Sequence, residues 1–356
     1  MKHFEVLRRP GRETTQRCKA RRSEYVSFRS HSFSERSLGA GRNRAILLES
    51  RFNDFDSQAV NTRINGPNDF PNVATTALTG SLLPSMFAPE RSHMQVGISQ
   101  IISGGVPLPD FLEQSARAGY EVVELSMTRD GDLTPQTKGR DLEAISRLAS
   151  DHGLSMVSMT HSHCTGNLLD SGPAQRTSIG ETLQGLETAA ALGIQCTLHT
   201  LGRFTADLYY DDAYRNGVAA LQELGARGEA LDVRIAVEFV WNGFLFSPME
   251  MRRFLDDIGS SHVGFYFDPG NMAVYQFPHH WVRIVGDKTF MVHLKDWKGG
   301  PLNGEWTPLT EGEVDFAAMN RELRAIGYDG PMISEVESHL ASMDQTADAI
   351  RKIIGM

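Results

Sequence analysis

Cysteine is scarce. The 356 residues contain three (Cys18, Cys164 and Cys196), at wide and unrelated spacings. That excludes a disulfide scaffold and a cysteine-based zinc knuckle, and it fits a reducing, cytoplasmic compartment. Long hydrophobic runs are missing too. No stretch of about 18 apolar residues occurs, so no membrane-spanning helix is expected. The dinucleotide fingerprint G-x-G-x-x-G is absent; Gly104-Gly105 follows the first strand-like run without the rest of the motif. Positive charge is in deficit, with a net charge of −9. The deficit is uneven. Residues 1–93 hold 15 Lys+Arg and 9 Asp+Glu, which leaves 35 − 15 = 20 basic and 44 − 9 = 35 acidic residues, or −15, for the remainder. A body so negative repels phosphate backbones, which argues against nucleic acid as a partner.

Two unequal parts are present. Residues 1–93 are rich in Arg and Ser, as in Arg17-Cys18-Lys19-Ala20-Arg21-Arg22-Ser23, and show no sustained period. They read as a low-order extension. Arg8-Arg9 resembles a twin-arginine signal, but no apolar segment follows it, and the nine acids speak against a transit peptide. Met86 or Met94 is an alternative start, with the upstream part a gene-model extension. Residues 94–356 form the second part, read as one catalytic domain.

From Val96 the chain alternates between strand and helix signals. Strand-like runs occur at Val96–Ile102, Val122–Leu125, Ser155–Met159, Gln195–Leu198, Arg234–Glu238, Val263–Asp268, Phe290–Leu294 and Met332–Glu335. Helical patterns lie between them, at Pro109–Gly119, Asp141–Asp151, Ile179–Leu192, Asp211–Leu231, from Ser247, at His280–Val285 and at Phe316–Ile326. A last helix is expected over Ser342–Ile354. Ser247-Pro248-Met249-Glu250 is a start signal, with a capping hydroxyl, proline at the first helical position and Glu at the third. The strand cores are short and apolar on both faces, as parallel strands between helices should be. Eight such βα units imply an α/β fold closed as a (β/α)8 TIM barrel, in preference to an open doubly wound sheet.

In such barrels the reacting groups sit at the carboxyl ends of the strands. The last four strands each end in a metal-ligand type: Glu238, Asp268, His293 and Glu335, spaced 30, 25 and 42 residues apart. A strand-end carboxylate often caps the next helix, and a lone strand histidine is often satisfied within the core. Four in register on successive strands point instead to one shared site. Three carboxylates gathered without a cation would repel one another strongly. The donor set suits one divalent metal ion: Mn²⁺, Mg²⁺, Co²⁺ or Zn²⁺.

Residues 94–356 resemble the sugar phosphate isomerase/epimerase superfamily, the xylose isomerase-like barrels that include tagatose/psicose 3-epimerases, hydroxypyruvate isomerase and inosose dehydratase. The resemblance rests on Glu238-Phe239, Phe267-Asp268-Pro269-Gly270-Asn271, Val292-His293-Leu294-Lys295-Asp296, Pro308–Phe316, and Gly327-Tyr328-Asp329-Gly330 leading to Ser334-Glu335-Val336-Glu337. It implies that Glu238, Asp268, His293 and Glu335 hold the metal and that Glu238 and Glu335 double as the acid/base pair. It also implies a small sugar or polyol substrate and assembly as a homodimer or homotetramer.

That double role is chemically coherent. Two carboxylates flanking a sugar can take a proton beside a carbonyl from one face and return it on the other. Return to the neighbouring carbon gives aldose–ketose isomerisation, and expulsion of hydroxide makes the same site a dehydratase of an inosose or oxo-sugar. A hydrolytic phosphodiesterase on the same fold would need more metal ligands and a basic groove. A non-catalytic sugar-binding protein would bind without exchanging the proton.

Two departures stand out. Where the epimerases often carry His three residues after the metal-binding Asp, this chain has Asn271. Where they carry Arg shortly after the metal-binding His, it reads Lys295-Asp296-Trp297-Lys298. The substrate contacts therefore differ, with His163 (or His161), His199, Trp241, Asn271, Lys295 and Glu124 as candidates. Aromatic residues (Trp241, Phe244, Phe246, Trp281 and Trp297) fall in or near the mouth loops, suited to stacking on a sugar or to closing the site. No glycine-rich phosphate loop follows the last two strands.

Overall fold

The computed structural model describes residues 94–356; the expectations for residues 1–93 and for an alternative start upstream of Met94 lie outside the described residues. The strands are β1 (Val96–Ser99), β2 (Val122–Ser126), β3 (Ser155–Thr160), β4 (Cys196–His199), β5 (Arg234–Glu238), β6 (Val263–Phe267), β7 (Thr289–Leu294), β8 (Asp296–Lys298), β9 (Glu305–Thr307) and β10 (Met332–Ser334). The helices are α1 (Leu108–Arg117), α2 (Arg140–Asp151), α3 (Gly172–Leu192), α4 (Tyr210–Leu231), α5 (Pro248–Ile258), α6 (Pro269–Ala273), α7 (Pro278–Val285), α8 (Phe316–Ala325) and α9 (Met343–Ile354). Eight strands close a parallel barrel in the order β1-β10-β7-β6-β5-β4-β3-β2, and β8 and β9 form a separate antiparallel hairpin. This is a (β/α)8 TIM barrel. Among the described residues no helix is long and apolar enough to cross a membrane.

The helix signals act as their chemistry dictates. Ser247 Oγ accepts from Glu250 N at 3.2 Å, and Pro248 starts α5 where its missing N–H costs nothing. Ser342 and Gln345 close a reciprocal capping box on α9. Gly193 ends α3 at φ 73°, a left-handed value that favours glycine. Several bounds differ from the sequence reading. β1 stops at Ser99 and passes into a 3-10 turn over Gln100–Ser103, while α3 begins at Gly172 rather than Ile179. The five-residue α6 and the three-residue strands of the hairpin had no counterpart in the sequence reading, being too short for any period to show.

Two apolar cores result. A large one fills the space between barrel and helices. A small one, Cys196, Leu198, Ala236, Tyr266 and Ile333, fills the lumen. Successive strand residues face opposite sides, so the lumen set fixes which residues further along point inward. Glu238 lies two residues beyond Ala236, Asp268 two beyond Tyr266, and Glu335 two beyond Ile333. Met291 packs against the lumen core, and His293 lies two residues beyond it. All four thus share the inward parity at the carboxyl mouth.

Candidate active site

Glu238 is the last residue of β5, and His293 lies near the end of β7. Asp268 and Glu335 immediately follow β6 and β10. One donor atom from each of these four residues lies within 4.8 Å of the others. The spread is small because parallel strands in register bring their ends to one level; Glu335 N donates to Leu294 O at 3.1 Å, fixing the β10 end beside β7.

Asp268 performs two tasks. Its Oδ1 accepts from Asn271 N at 3.1 Å and caps α6, while Oδ2 turns to the site. Lys295, just past β7, places Nζ 2.8 Å from Asp268 Oδ2 and pairs it with Glu335 Oε2 as well. The Lys295 ammonium is thus the charged partner of Asp268 Oδ2. Asn271 Nδ2 donates to Glu238 Oε1 at 3.3 Å and to Phe239 O at 3.1 Å, which fixes the Glu238 carboxylate.

His293 is held from below. Its Nδ1 faces Glu238 Oε1 at 3.3 Å and Glu335 Oε1 at 3.5 Å, and its Nε2 meets Glu124 Oε1 at 3.0 Å. Glu124 is fully buried and accepts from Ser99 Oγ, Ser158 Oγ and Tyr266 Oη, each at 2.7 Å. With Nε2–H committed to Glu124, Nδ1 is the nitrogen left to face the site, and it becomes a donor to a cation once its proton is lost. That is the usual arrangement behind a metal-binding imidazole.

Charge in this group is finely divided. Burial lifts the Glu238 carboxyl to about 7; the neighbouring Glu335 charge adds to the rise, and His293 and Lys295 oppose it. Burial also acts to raise Asp268, but Lys295 and His293 outweigh it and hold that carboxyl below its ordinary value. Burial disfavours charge on His293 and Lys295, yet the surrounding carboxylates hold both well above their ordinary values. Three carboxylates and one imidazole, with Asp268 Oδ2 and His293 Nδ1 aimed inward, fit a divalent cation, and these residues could hold one.

Beside this group stands an aromatic wall. Trp241 stacks on Trp306 of the hairpin with centroids 5.2 Å apart and planes 3° from parallel, and Trp297 meets both edge-on. Trp241 Nε1 donates to Asn271 O at 3.0 Å, and Lys295 Nζ lies 5.8 Å from the Trp306 ring centre. The hairpin is anchored by Asp296, whose carboxylate accepts from the backbone N–H groups of Trp297, Gly312 and Val314.

The other sequence candidates divide. Lys295, Asn271 and Trp241 join the site. Glu124 does not open to the mouth; it lies beneath His293 with both oxygens engaged. His163 and His199 both contact α3, and His199 also lines a cavity with Ile101, Thr160 and Leu198. His199 Nε2 meets Thr182 Oγ1 at 3.1 Å, and His163 Nε2 meets Glu181 O at 2.8 Å. Cys196 and Leu198 fill the lumen, so His199 takes the outward parity, and Ser158 does the same for His161 and His163. Burial pushes His199 down to about 4. Phe244 and Trp281 pack in the outer core and not over the mouth. The sequence reading omitted Tyr266, Ser99, Ser158 and Trp306. The signal for the first three was there: Ser99, Glu124 and Ser158 are paired neighbours on β1, β2 and β3, polar where a packed lumen would be apolar.

Fold and site together define a parallel barrel with an acidic, imidazole-bearing donor set at its carboxyl mouth. The model of the xylose isomerase-like TIM barrel family matches residues 112–354, and the chain belongs to that family. Among solved structures it is similar to a xylose isomerase domain protein from Planctomyces limnophilus, with 20% identity and a TM-score of 0.60 over 74% of this chain and 96% of that one. It is similar to a D-psicose 3-epimerase from Clostridium cellulolyticum H10, with 16% identity and a TM-score of 0.60 over 74% and 92%. The 3-keto-D-glucoside 4-epimerase of E. coli shows 15% identity and a TM-score of 0.60 over 74% and 100%. A Methanocaldococcus jannaschii protein of unassigned function, MJ1311, is 27% identical over 128 residues, 34% of this chain. The chain spans 43% of the length of that curated relative.

Proposed function

We propose that the barrel is a divalent-metal-dependent isomerase or epimerase of a small sugar or polyol, moving a proton at a carbon next to a carbonyl. The observation that carries this reading is the meeting of Glu238, Asp268, His293 and Glu335 within 4.8 Å at the mouth, with His293 pinned from below by Glu124. The ligands are those four residues. The cation, Mn²⁺, Mg²⁺, Co²⁺ or Zn²⁺, would stabilise the negative charge that develops on the sugar oxygen.

Everything else falls to side chains. Glu238 and Glu335 come from two different strands and both reach His293 Nδ1. One removes the proton and the other returns it; Asn271 holds Glu238 in its acid/base orientation. Lys295 sits where it can hydrogen-bond a substrate hydroxyl or carbonyl oxygen. The Trp241–Trp306 stack offers an apolar face to a sugar ring and keeps water back. The related solved epimerases act on ketohexoses and a keto-glucoside by their names, and this barrel is inferred to take a substrate of that class. Residues 94–356 are proposed to carry the activity.

A dehydratase on the same site is favoured by one feature. The Lys295 ammonium beside Asp268 and Glu335 can protonate a departing hydroxyl. The test is a panel of ketoses, oxo-sugars and inososes incubated with Mg²⁺ in D₂O and followed by NMR and mass. Epimer or isomer carrying one solvent deuteron supports the first reading, and loss of water supports the second. Binding without exchange for every substrate would reject both.

A further inference from the structure

A second group of metal-ligating side chains lies outside the lumen, where the β3 end meets α3. His161, Ser162, His163 and Cys164 form a tight turn closed by Cys164 N donating to His161 O at 3.1 Å. Donor atoms of His161, His163 and Cys164 lie within 4.8 Å of one another. His161 is only 8% exposed, and neither of its ring nitrogens has a hydrogen-bond partner among the described residues. Its ring occupies the space over Gly185 of α3, where a Cβ would come within 2.2 Å of Nδ1. His163 is 2% exposed. Its Nε2 contacts Glu181 O at 2.8 Å and lies 3.9 Å from Cys164 Sγ; because a carbonyl only accepts, Nε2 carries the proton and Nδ1, on the same ring, bears a lone pair. That Nδ1 is buried and unpartnered.

We propose that His161, His163 and Cys164 form a second metal site, for a thiophilic divalent cation such as Zn²⁺, which closes the turn that follows β3. Buried imidazole nitrogens are rarely left orphaned, and three from two adjacent rings need an explanation. An imidazole whose other N–H is donated to a backbone carbonyl is the standard posture of a zinc ligand. Two imidazoles and a thiolate form a borderline-soft set, unlike the carboxylate-rich lumen site, so the two sites sort different cations. Zn–N and Zn–S bonds of about 2.0–2.3 Å require the donors to close in by roughly an ångström, within reach of side-chain rotation. Binding exchanges the Cys164 thiol proton for the cation and releases it to solvent. His199 is excluded as fourth ligand, since Leu201 N donates to its Nδ1 and Thr182 Oγ1 takes up its Nε2. Water completes the shell from the adjoining cavity of about 260 Å³, which His161, Cys164 and His199 line.

Co²⁺ titration of the full chain tests this, because only a thiolate ligand gives a sulfur-to-cobalt charge-transfer band. The wild-type chain is expected to develop that band and to retain one cobalt more than C164S, which keeps Cys18 and Cys196 but loses the band. His163→Gln, able to hold the Glu181 carbonyl but not a metal, is expected to lose the band with unchanged circular dichroism. Glu335→Gln, which touches only the lumen site, is expected to keep it. A wild-type chain without the band, or C164S or His163→Gln with the band undiminished, overturns the proposal and leaves the reading of the lumen site untouched.

Discussion

Glu124 shows how one residue can govern a site it never opens onto. It receives three hydroxyls and the His293 ring, and burial alone would strip its charge; those partners keep its carboxyl below the ordinary value. Its ionised form fixes the His293 ring so that Nδ1 faces the donor group. Glu124→Gln is therefore expected to weaken metal binding by about 10–100-fold, the usual cost of losing such a support, as calorimetric titration would show. Unchanged affinity would mean that the ring is fixed by packing alone. Glu238→Gln and Glu335→Gln are each expected to lower turnover by about 10²–10⁴-fold or more, with circular dichroism unchanged. Retained turnover in both would reject their role as the acid/base pair.

The same residues set a pH dependence. Without a cation, Glu238 is protonated below about 7. Its carboxyl is raised, so the proton must leave before the oxygen can ligate, and metal affinity falls as pH drops. His293, also held protonated, adds to the slope. Mn²⁺ affinity is expected to rise at least about tenfold per pH unit up to about pH 7. A pH-independent affinity in that range would contradict the charge assignment.

At the scale of elements, the short pieces between β6 and β10 shape the pocket. Gly270 lets α6 approach the β7 end; a Cβ there would lie 2.4 Å from Lys295 Cβ and 3.0 Å from the Trp306 ring. Gly270→Ala is expected to cost about 1–3 kcal/mol through overpacking, lowering the melting temperature by several degrees in calorimetry, and to raise KM by displacing Lys295 and Trp306. A wild-type melting temperature would show that the segment yields freely. These pieces were also the least legible in the sequence. Strands of three residues and a helix of five leave no periodic trace, and Trp306 sits in a loop-like stretch of Gly, Pro and Asn. The long periodic elements were readable because their caps and apolar stripes agree, as at Ser247 and Gly193. Side-chain direction was not. In a buried parallel strand such as Cys196-Thr197-Leu198-His199 both faces are covered, so the sequence does not say which parity meets the lumen. That is why the sequence did not settle how His163 and His199 are turned; both contact α3.

For the whole molecule, closure of the barrel is what makes the site. The four donors come from strands spread over almost a hundred residues, and only a ring of parallel strands in register brings their ends together. The spacing of one βα unit between the four residues made the convergence readable before any coordinates, whereas the support under His293 depends on β2 lying across the lumen from β7. Crystals soaked in Mn²⁺ and measured at its absorption edge test the central claim most directly. A strong anomalous peak is expected within about 2.0–2.3 Å of an oxygen of Glu238, Asp268 and Glu335 and of His293 Nδ1. Mn²⁺ bound elsewhere, or held by fewer than three of the four while the barrel stays intact, would contradict it.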